Sequence, residues 1–290
     1  TGWLFYFLLF TFYFLTMESR NPIGVFDSGY GGLTVLRSIE KKLPGYDFIY
    51  LGDNARAPYG NRSFQTVYQY TREAVQWFFS KGCPLVILAC NTASAKALRT
   101  IQQHDLLESG TPNRVLGVIR PTTEIAGKLS KSGHVGILAT SGTVNSESYP
   151  IEIKKFCPGI SVYQQACPLW VPLIENNEQK SAGADYFVKK YSDALLAQSS
   201  LIDTVVLGCT HYPLLMDKLR AYFPASIQLI AQGDIVAESL VDYLHRHTEI
   251  ENRCSRNSKV FFYTTDSAED FDRHADIFYG KGIHSEEVFL

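Results

Sequence analysis

Two cysteines stand at corresponding points of the chain, each where an apolar run gives way to polar residues. Leu85-Val-Ile-Leu-Ala-Cys90 is followed by Asn91 and Thr92, and Thr204-Val-Val-Leu-Gly-Cys209 by Thr210 and His211. Short apolar runs of this kind read as buried strands. Helical patterns follow, from about Ala93 in the first case and after Pro213 in the second (Leu214, Leu215, Lys218, Leu219, Tyr222). Open α/β sheets hold their ligands in such strand-to-helix turns. A thiol placed there can move a proton, because a helix start lowers its ordinary pKa of about 8.5 toward neutrality. Two thiols facing each other across one site could act as base on one face of a carbon centre and acid on the other, which inverts it. A lone cysteine at a strand end is ordinarily just a small buried residue. The matched contexts are what argue against that reading for Cys90 and Cys209. Cys83, Cys157 and Cys254 lack such a context and read as structural, and Cys167 has no matching partner.

The elements that must position these residues recur in two rounds. Pro22–Phe26 reads as a strand, running into the glycine-rich turn Asp27-Ser-Gly-Tyr-Gly-Gly32 and a helix over 33–42. A strand over 47–51, a polar loop to Gly60 and a helix carrying Phe64, Val67, Tyr68, Thr71, Val75 and Phe78 on one face lead to the Cys90 strand. The second round begins with a strand from Val115 to Ile119. It continues with His134–Ala139, which enters Thr140-Ser-Gly-Thr143 much as the first strand enters Asp27-Ser28-Gly29. Ser28 precedes Cys90 by 62 residues, and Ser141 precedes Cys209 by 68. Helices over 145–156 and 182–198, strands over 160–165 and 227–231, and a helix over 234–247 fill out this part. Residues 248–258 read as a polar linker, before a strand over 259–264 and a helix over 268–279. The alternation predicts an α/β chain of two similar domains, with mostly parallel sheets flanked by helices and the site in the cleft between them. The expected division is 21–114 with 232–290 as the first domain, and 115–231 as the second.

The 290 residues are 46% hydrophobic and 19% charged, which supports a sizeable core and excludes broad disorder. The net charge of −2, with scattered Lys and Arg, argues against a nucleic-acid surface. None of the six cysteines forms a CxxC pair or stands at zinc-ligand spacing to a histidine, so no metal is expected and a reducing compartment is. Residues 1–16, TGWLFYFLLFTFYFLT, are apolar and uncharged and precede Met17. They lack the basic start and cleavage site of a signal peptide and are short for a membrane span. They read as translated upstream sequence, so a chain starting at Met17 is expected to fold and act normally.

Taken together, Asp27-Ser-Gly-Tyr-Gly-Gly32, Pro58-Tyr-Gly60, Cys90-Asn-Thr-Ala93, Cys167-Pro-Leu-Trp-Val-Pro-Leu-Ile-Glu175 and Gly208-Cys-Thr-His-Tyr-Pro213 resemble the motifs of the glutamate racemase family, within the aspartate/glutamate racemase superfamily. They occur in family order from about residue 22 to residue 240. The resemblance implies cofactor-independent interconversion of L- and D-glutamate, with the D-isomer feeding peptidoglycan synthesis, in a cytoplasmic homodimer. It implies that Cys90 takes the α-proton of D-glutamate and Cys209 that of L-glutamate, assisted by Asp27, Glu175 and His211. Asp27, Ser28, Tyr59, Gly60, Asn91, Thr92, Thr143, Thr210 and His211 would hold the substrate. Blander readings exist for several of these residues. Asp27 could be a cap, His211 a satisfied buried histidine, Glu175 a solvated acid and Tyr59 packing. One departure stands out. Many family members carry Asp-Ser-Gly where this chain has Ala231-Gln232-Gly233, so the acid and the hydroxyl are absent here. The alternatives are a glutamate- or partner-binding protein without catalysis, and a superfamily racemase for another small acid.

Overall fold

The computed structural model describes residues 21–290, and the expectation placed on residues 1–16 lies outside the described residues. Six strands form one parallel sheet: β1 (Ile23–Asp27), β2 (Phe48–Gly52), β3 (Leu85–Leu88), β4 (Arg114–Gly117), β9 (Val260–Thr264) and β10 (Ser285–Glu287), in the order β10-β9-β2-β1-β3-β4. Four more form a second parallel sheet: β5 (His134–Ala139), β6 (Ser161–Ala166), β7 (Thr204–Gly208) and β8 (Gln228–Ile230), in the order β6-β5-β7-β8. The arrangement β2-β1-β3-β4 is thus repeated as β6-β5-β7-β8. The repeat seen in the Ser–Cys spacing is a repeat of sheet topology.

Helices cover the sheets, which explains why the central strands are mostly apolar. Every residue of β1, β3 and β7 is buried, as parallel strands covered on both faces require. The helix Leu33–Lys42 buries Leu33, Val35, Leu36 and Ile39 and carries Lys41 and Lys42 in its last turn, where they oppose the helix dipole. The helix Phe64–Ser80 starts at Ser63, whose hydroxyl accepts the Thr66 N–H at 3.1 Å, and it buries Val67, Thr71, Ala74, Val75 and Phe78. Against that helix, β1 has no room for a side chain at Gly24. A Cβ there would lie 2.6 Å from the Phe78 ring. Gly24→Ala is therefore expected to destabilise the fold by ~1–3 kcal/mol through overpacking. Urea midpoints check this, and an unchanged midpoint would refute the packing argument.

Three sequence expectations are corrected. The strand near Val115 does not open the second sheet. It pairs with β3 and closes the first, so the chain crosses over at about Val118 rather than at residue 114. Residues 248–258 are not simply a linker, since they contain the helix Thr248–Glu251 and bury Ile250 and Cys254. Cys209 does not lead straight into a helix. A 3₁₀ turn over Tyr212–Leu215 intervenes, and the α-helix runs from Met216 to Tyr222. Among the described residues, no helix is long and apolar enough to cross a membrane.

Candidate active site

Strand order places the chemistry. β1 lies between β2 and β3, so successive connections leave it on opposite sides, and a crevice opens beyond the carboxyl ends of β1 and β3. The same holds for β5 and β7. Asp27-Ser28 and Cys90-Asn91-Thr92 follow the first pair of strand ends, and Thr140-Ser141 and Cys209-Thr210-His211 follow the second. The two crevices form one cavity of about 120 Å³, with Cys90 and Cys209 both in its wall. A space of this size suits a small acid rather than a nucleotide.

Cys90 immediately precedes the helix Asn91–Lys96, and its carbonyl accepts the Ser94 N–H at 2.9 Å. The Ser28 hydroxyl lies 3.5 Å from its sulfur. Burial, and after it the charge of Asp27, push the thiol up to about 12, while Ser28 and the Ala93 N–H act in the other direction. The helix start does favour the thiolate, as expected, but burial outweighs it. Asp27 itself is buried and does not line the cavity. Its carboxylate accepts the Gly29 N–H at 3.0 Å and the Thr210 hydroxyl at 3.3 Å. It therefore braces the Ser28 turn against the loop of the other sheet. Burial pushes it up to about 6, against the charge of His211 and these hydrogen bonds.

Cys209 has different support. Its sulfur is 3.9 Å from His211 Nδ1, and His211 Nε2 is 3.0 Å from Glu175 Oε1. Burial disfavours a charged imidazole, but the hydrogen bonds and charges of Cys209 and Glu175 outweigh it and push His211 up to about 10. The imidazolium is thus the dominant form at neutral pH, donating to the sulfur on one side and the carboxylate on the other. Glu175 ends the helix Trp170–Glu175 and shares the cavity wall with Val171 and Pro172. Gly31 allows the first loop to approach this triad, since a Cβ there would lie 2.3 Å from both His211 Nδ1 and Thr210 Oγ1.

The other expected residues divide into two groups. Ser28, Gly60, Asn91, Thr92 and Thr210 reach the cavity wall. The Thr92 hydroxyl lies 3.0 Å from that of Thr140, and the Gly142 N–H donates to the Gly60 carbonyl at 2.6 Å, so both residues join the two halves. Tyr59 also forms part of the wall, but its hydroxyl is hydrogen-bonded to the Asp53 carboxylate. Asp53 in turn binds Arg56 at 2.7 Å and Thr265 at 2.8 Å. Tyr59 therefore keeps its hydroxyl for the fold. Thr143 lies beneath the wall, fully buried, with its hydroxyl 3.1 Å from Thr140 Oγ1.

The sequence marks the Thr140-Ser141 turn and the Ala231-Gln232-Gly233 segment but assigns none of Thr140, Ser141 and Gln232 to the site. Thr140 and Ser141 sit in the wall, and their match to Asp27-Ser28 was the available signal. Gln232 is buried beside Asn91 and had no local signal beyond the missing acid and hydroxyl. Among the described residues, no three His, Cys, Asp or Glu gather where they could hold a metal.

Residues 23–240 match the model of the Asp/Glu/hydantoin racemase family. The chain is 37% identical over 268 residues to a glutamate racemase of Persephonella marina, covering 92% of this chain and 97% of that protein. It is 42% identical over 240 residues to one from a Ruegeria species, covering 79% and 87%. Among solved structures, a glutamate racemase isoform of Bacillus anthracis superposes with a TM-score of 0.85 at 32% identity, covering 94% of this chain and 99% of that one. The glutamate racemase of Francisella tularensis in complex with D-glutamate gives 0.82 at 30% identity, covering 93% and 98%. The chain therefore belongs to the Asp/Glu/hydantoin racemase family of isomerases and stands there among the glutamate racemases.

Proposed function

We propose that this racemase interconverts L- and D-glutamate through two thiols that each serve one face of the α-carbon. The observation carrying this reading is that Cys90 and Cys209, from the switch points of two different sheets, line one cavity and have unlike polar support. An inversion needs one deprotonated and one protonated group at the start of each turnover. We assign Cys209, whose sulfur lies 3.9 Å from the His211 ring, as the base of that starting state, and Cys90, which burial holds as the neutral thiol, as its acid. That state is ready for L-glutamate. Cys209 removes the α-proton and Cys90 delivers its own to the opposite face, giving D-glutamate. The product leaves Cys90 deprotonated and Cys209 protonated, the state that accepts D-glutamate.

The substrate presents two carboxylates and an ammonium. The Ser28 and Thr92 hydroxyls, the Asn91 amide and the loop N–H groups, those at Thr210 included, can hold the carboxylates, and the carboxylate of Glu175 in the wall offers an acceptor for the ammonium. The names of the relatives support glutamate as the substrate. We also propose a cytoplasmic homodimer that supplies D-glutamate for peptidoglycan synthesis. The domain limits proposed are those expected from the sequence, 21–114 with 232–290 and 115–231, with the first boundary moved to about Val118. Circular dichroism of either glutamate enantiomer with the purified chain, without added pyridoxal phosphate, tests the activity. Decay to zero ellipticity from both sides is expected, and no decay would reject the proposal.

Aspartate is one methylene shorter. If one carboxylate binds as glutamate's does, the other falls short of its donors. Each unmet buried donor costs ~1–3 kcal/mol, or roughly 5- to 150-fold in kcat/KM. Turnover of aspartate within a factor of two of glutamate would place the chain on another branch of the family.

A further inference from the structure

The segment Ala231-Gln232-Gly233, where the chain returns from β8 to the first sheet, has no role in the proton transfers above. Its side chain is nevertheless part of a closed ring of hydrogen bonds that ends at the cavity. Asn91 Nδ2 donates to Gln232 Oε1 at 2.6 Å. Gln232 Nε2 donates to the Tyr149 hydroxyl at 3.0 Å. The Tyr149 hydroxyl donates to Asn91 Oδ1 at 2.8 Å. Each member donates to the next and accepts from the one before, so the ring fixes which end of the Asn91 amide is nitrogen and which is oxygen. Asn91, Tyr149 and Gln232 are all buried, so no water competes for these bonds.

Gln232 also reaches outside the ring. Its Nε2 lies 2.9 Å from Thr122 Oγ1 and 3.3 Å from the Val118 carbonyl. Val118 is where the chain leaves the first sheet, and Gln232 is where it comes back. One amide therefore joins both crossings, the Tyr149 helix (Ser148–Phe156) of the second half, and the residue after Cys90. A side chain carrying only an acid or a short hydroxyl could not be donor and acceptor to these partners at that reach.

We propose that Gln232 is a positioning residue. It orients the Asn91 amide toward the substrate. It touches neither thiol and does not line the cavity, so it acts through Asn91. The proposal rests on the glutamate racemase reading given above.

The test is a double-mutant cycle in kcat/KM for glutamate. Gln232→Met keeps length and loses every hydrogen bond, and it is expected to lower kcat/KM by roughly 10- to 100-fold, the scale of a small misplacement at a reacting centre. Asn91→Ala should lower it comparably. The double variant should be no worse than Asn91→Ala alone, within about twofold, because the two changes break one unit. Losses that multiply would show that Gln232 acts on folding and not through Asn91, and would overturn the proposal. Should Gln232→Met fail to fold, Tyr149→Phe removes a single hydroxyl from the same ring. It is expected to lower kcat/KM about 5- to 10-fold on the same scale, again without adding to Asn91→Ala. An active wild type with full activity in these variants would reject the positioning role alone. A wild type inert with glutamate would reject the racemase reading and this inference with it.

Discussion

Replacing either Cys90 or Cys209 by serine is expected to lower racemisation by roughly 10²- to 10⁴-fold, the range that a positioned acid–base group contributes. A hydroxyl can still deliver a proton, but it is a far weaker base than a thiolate. Both directions of racemisation must fall together. Enantiomers have equal free energy, so the ratio of kcat/KM in the two directions is fixed whatever is mutated. The asymmetry between the thiols appears only in a half reaction. A glutamate bearing a leaving group on the β-carbon undergoes elimination after a single proton abstraction. Cys90→Ser should keep elimination from the L-isomer and lose it from the D-isomer, and Cys209→Ser should do the reverse. Near-normal racemisation in both variants would return the cysteines to the role of small buried strand-end residues.

Much of this site was legible because its signals are local. A β-branched run ending in a thiol, twice, with a hydroxyl turn at a similar distance before each, already described two sheets with matched switch points. What was not legible depends on partners far away in the chain. Asn91 and Gln232 are separated by 141 residues, and nothing near either announces the pair. The strand at Arg114–Gly117 has the same pattern whichever sheet it joins, and only its pairing with β3 decides. The Tyr59 hydroxyl looked free for substrate until Asp53, itself held by Arg56 and Thr265, claimed it. The expected lowering of the thiol toward neutrality was wrong for Cys90, where the Ala93 N–H acts in that direction but burial pushes the thiol up to about 12. The size of the helix-start effect against full burial could not be judged from spacing.

The second large effect is expected at His211. His211→Asn removes the positive charge beside Cys209 and the link to Glu175, and racemisation should fall by roughly 10²-fold or more. Glu175→Gln keeps the hydrogen bond and loses the charge, so its loss should be smaller, on the order of tenfold. In the half reaction, His211→Asn should impair elimination from the L-isomer far more than from the D-isomer, since Cys209 is the base it serves. Equal impairment of both isomers would remove His211 from that role. The same residue predicts a trend in stability. Its folded-state pKa lies at about 10, above the ordinary 6.5, so the folded chain binds the extra proton. The contribution is fully present below about pH 6.5 and is lost as pH rises through 10. The wild type should therefore lose stability relative to His211→Asn between pH 6.5 and 10, as read from urea midpoints. A difference that stays flat over that window would mean the imidazole is not held charged.

The central claim is that two groups, one on each face, carry the proton. Its most direct test is a short incubation of protiated L-glutamate in heavy water, stopped at a few per cent conversion, with both enantiomers separated and weighed by mass spectrometry. The D-glutamate formed should carry one deuterium, because Cys90 delivers a proton already exchanged with solvent. The remaining L-glutamate should stay unlabelled, because Cys209 returns only the proton it removed. The mirror experiment from D-glutamate should give the mirror result. D-glutamate that keeps the original proton, or L-glutamate that takes up deuterium as fast as product forms, would mean that a single base serves both faces.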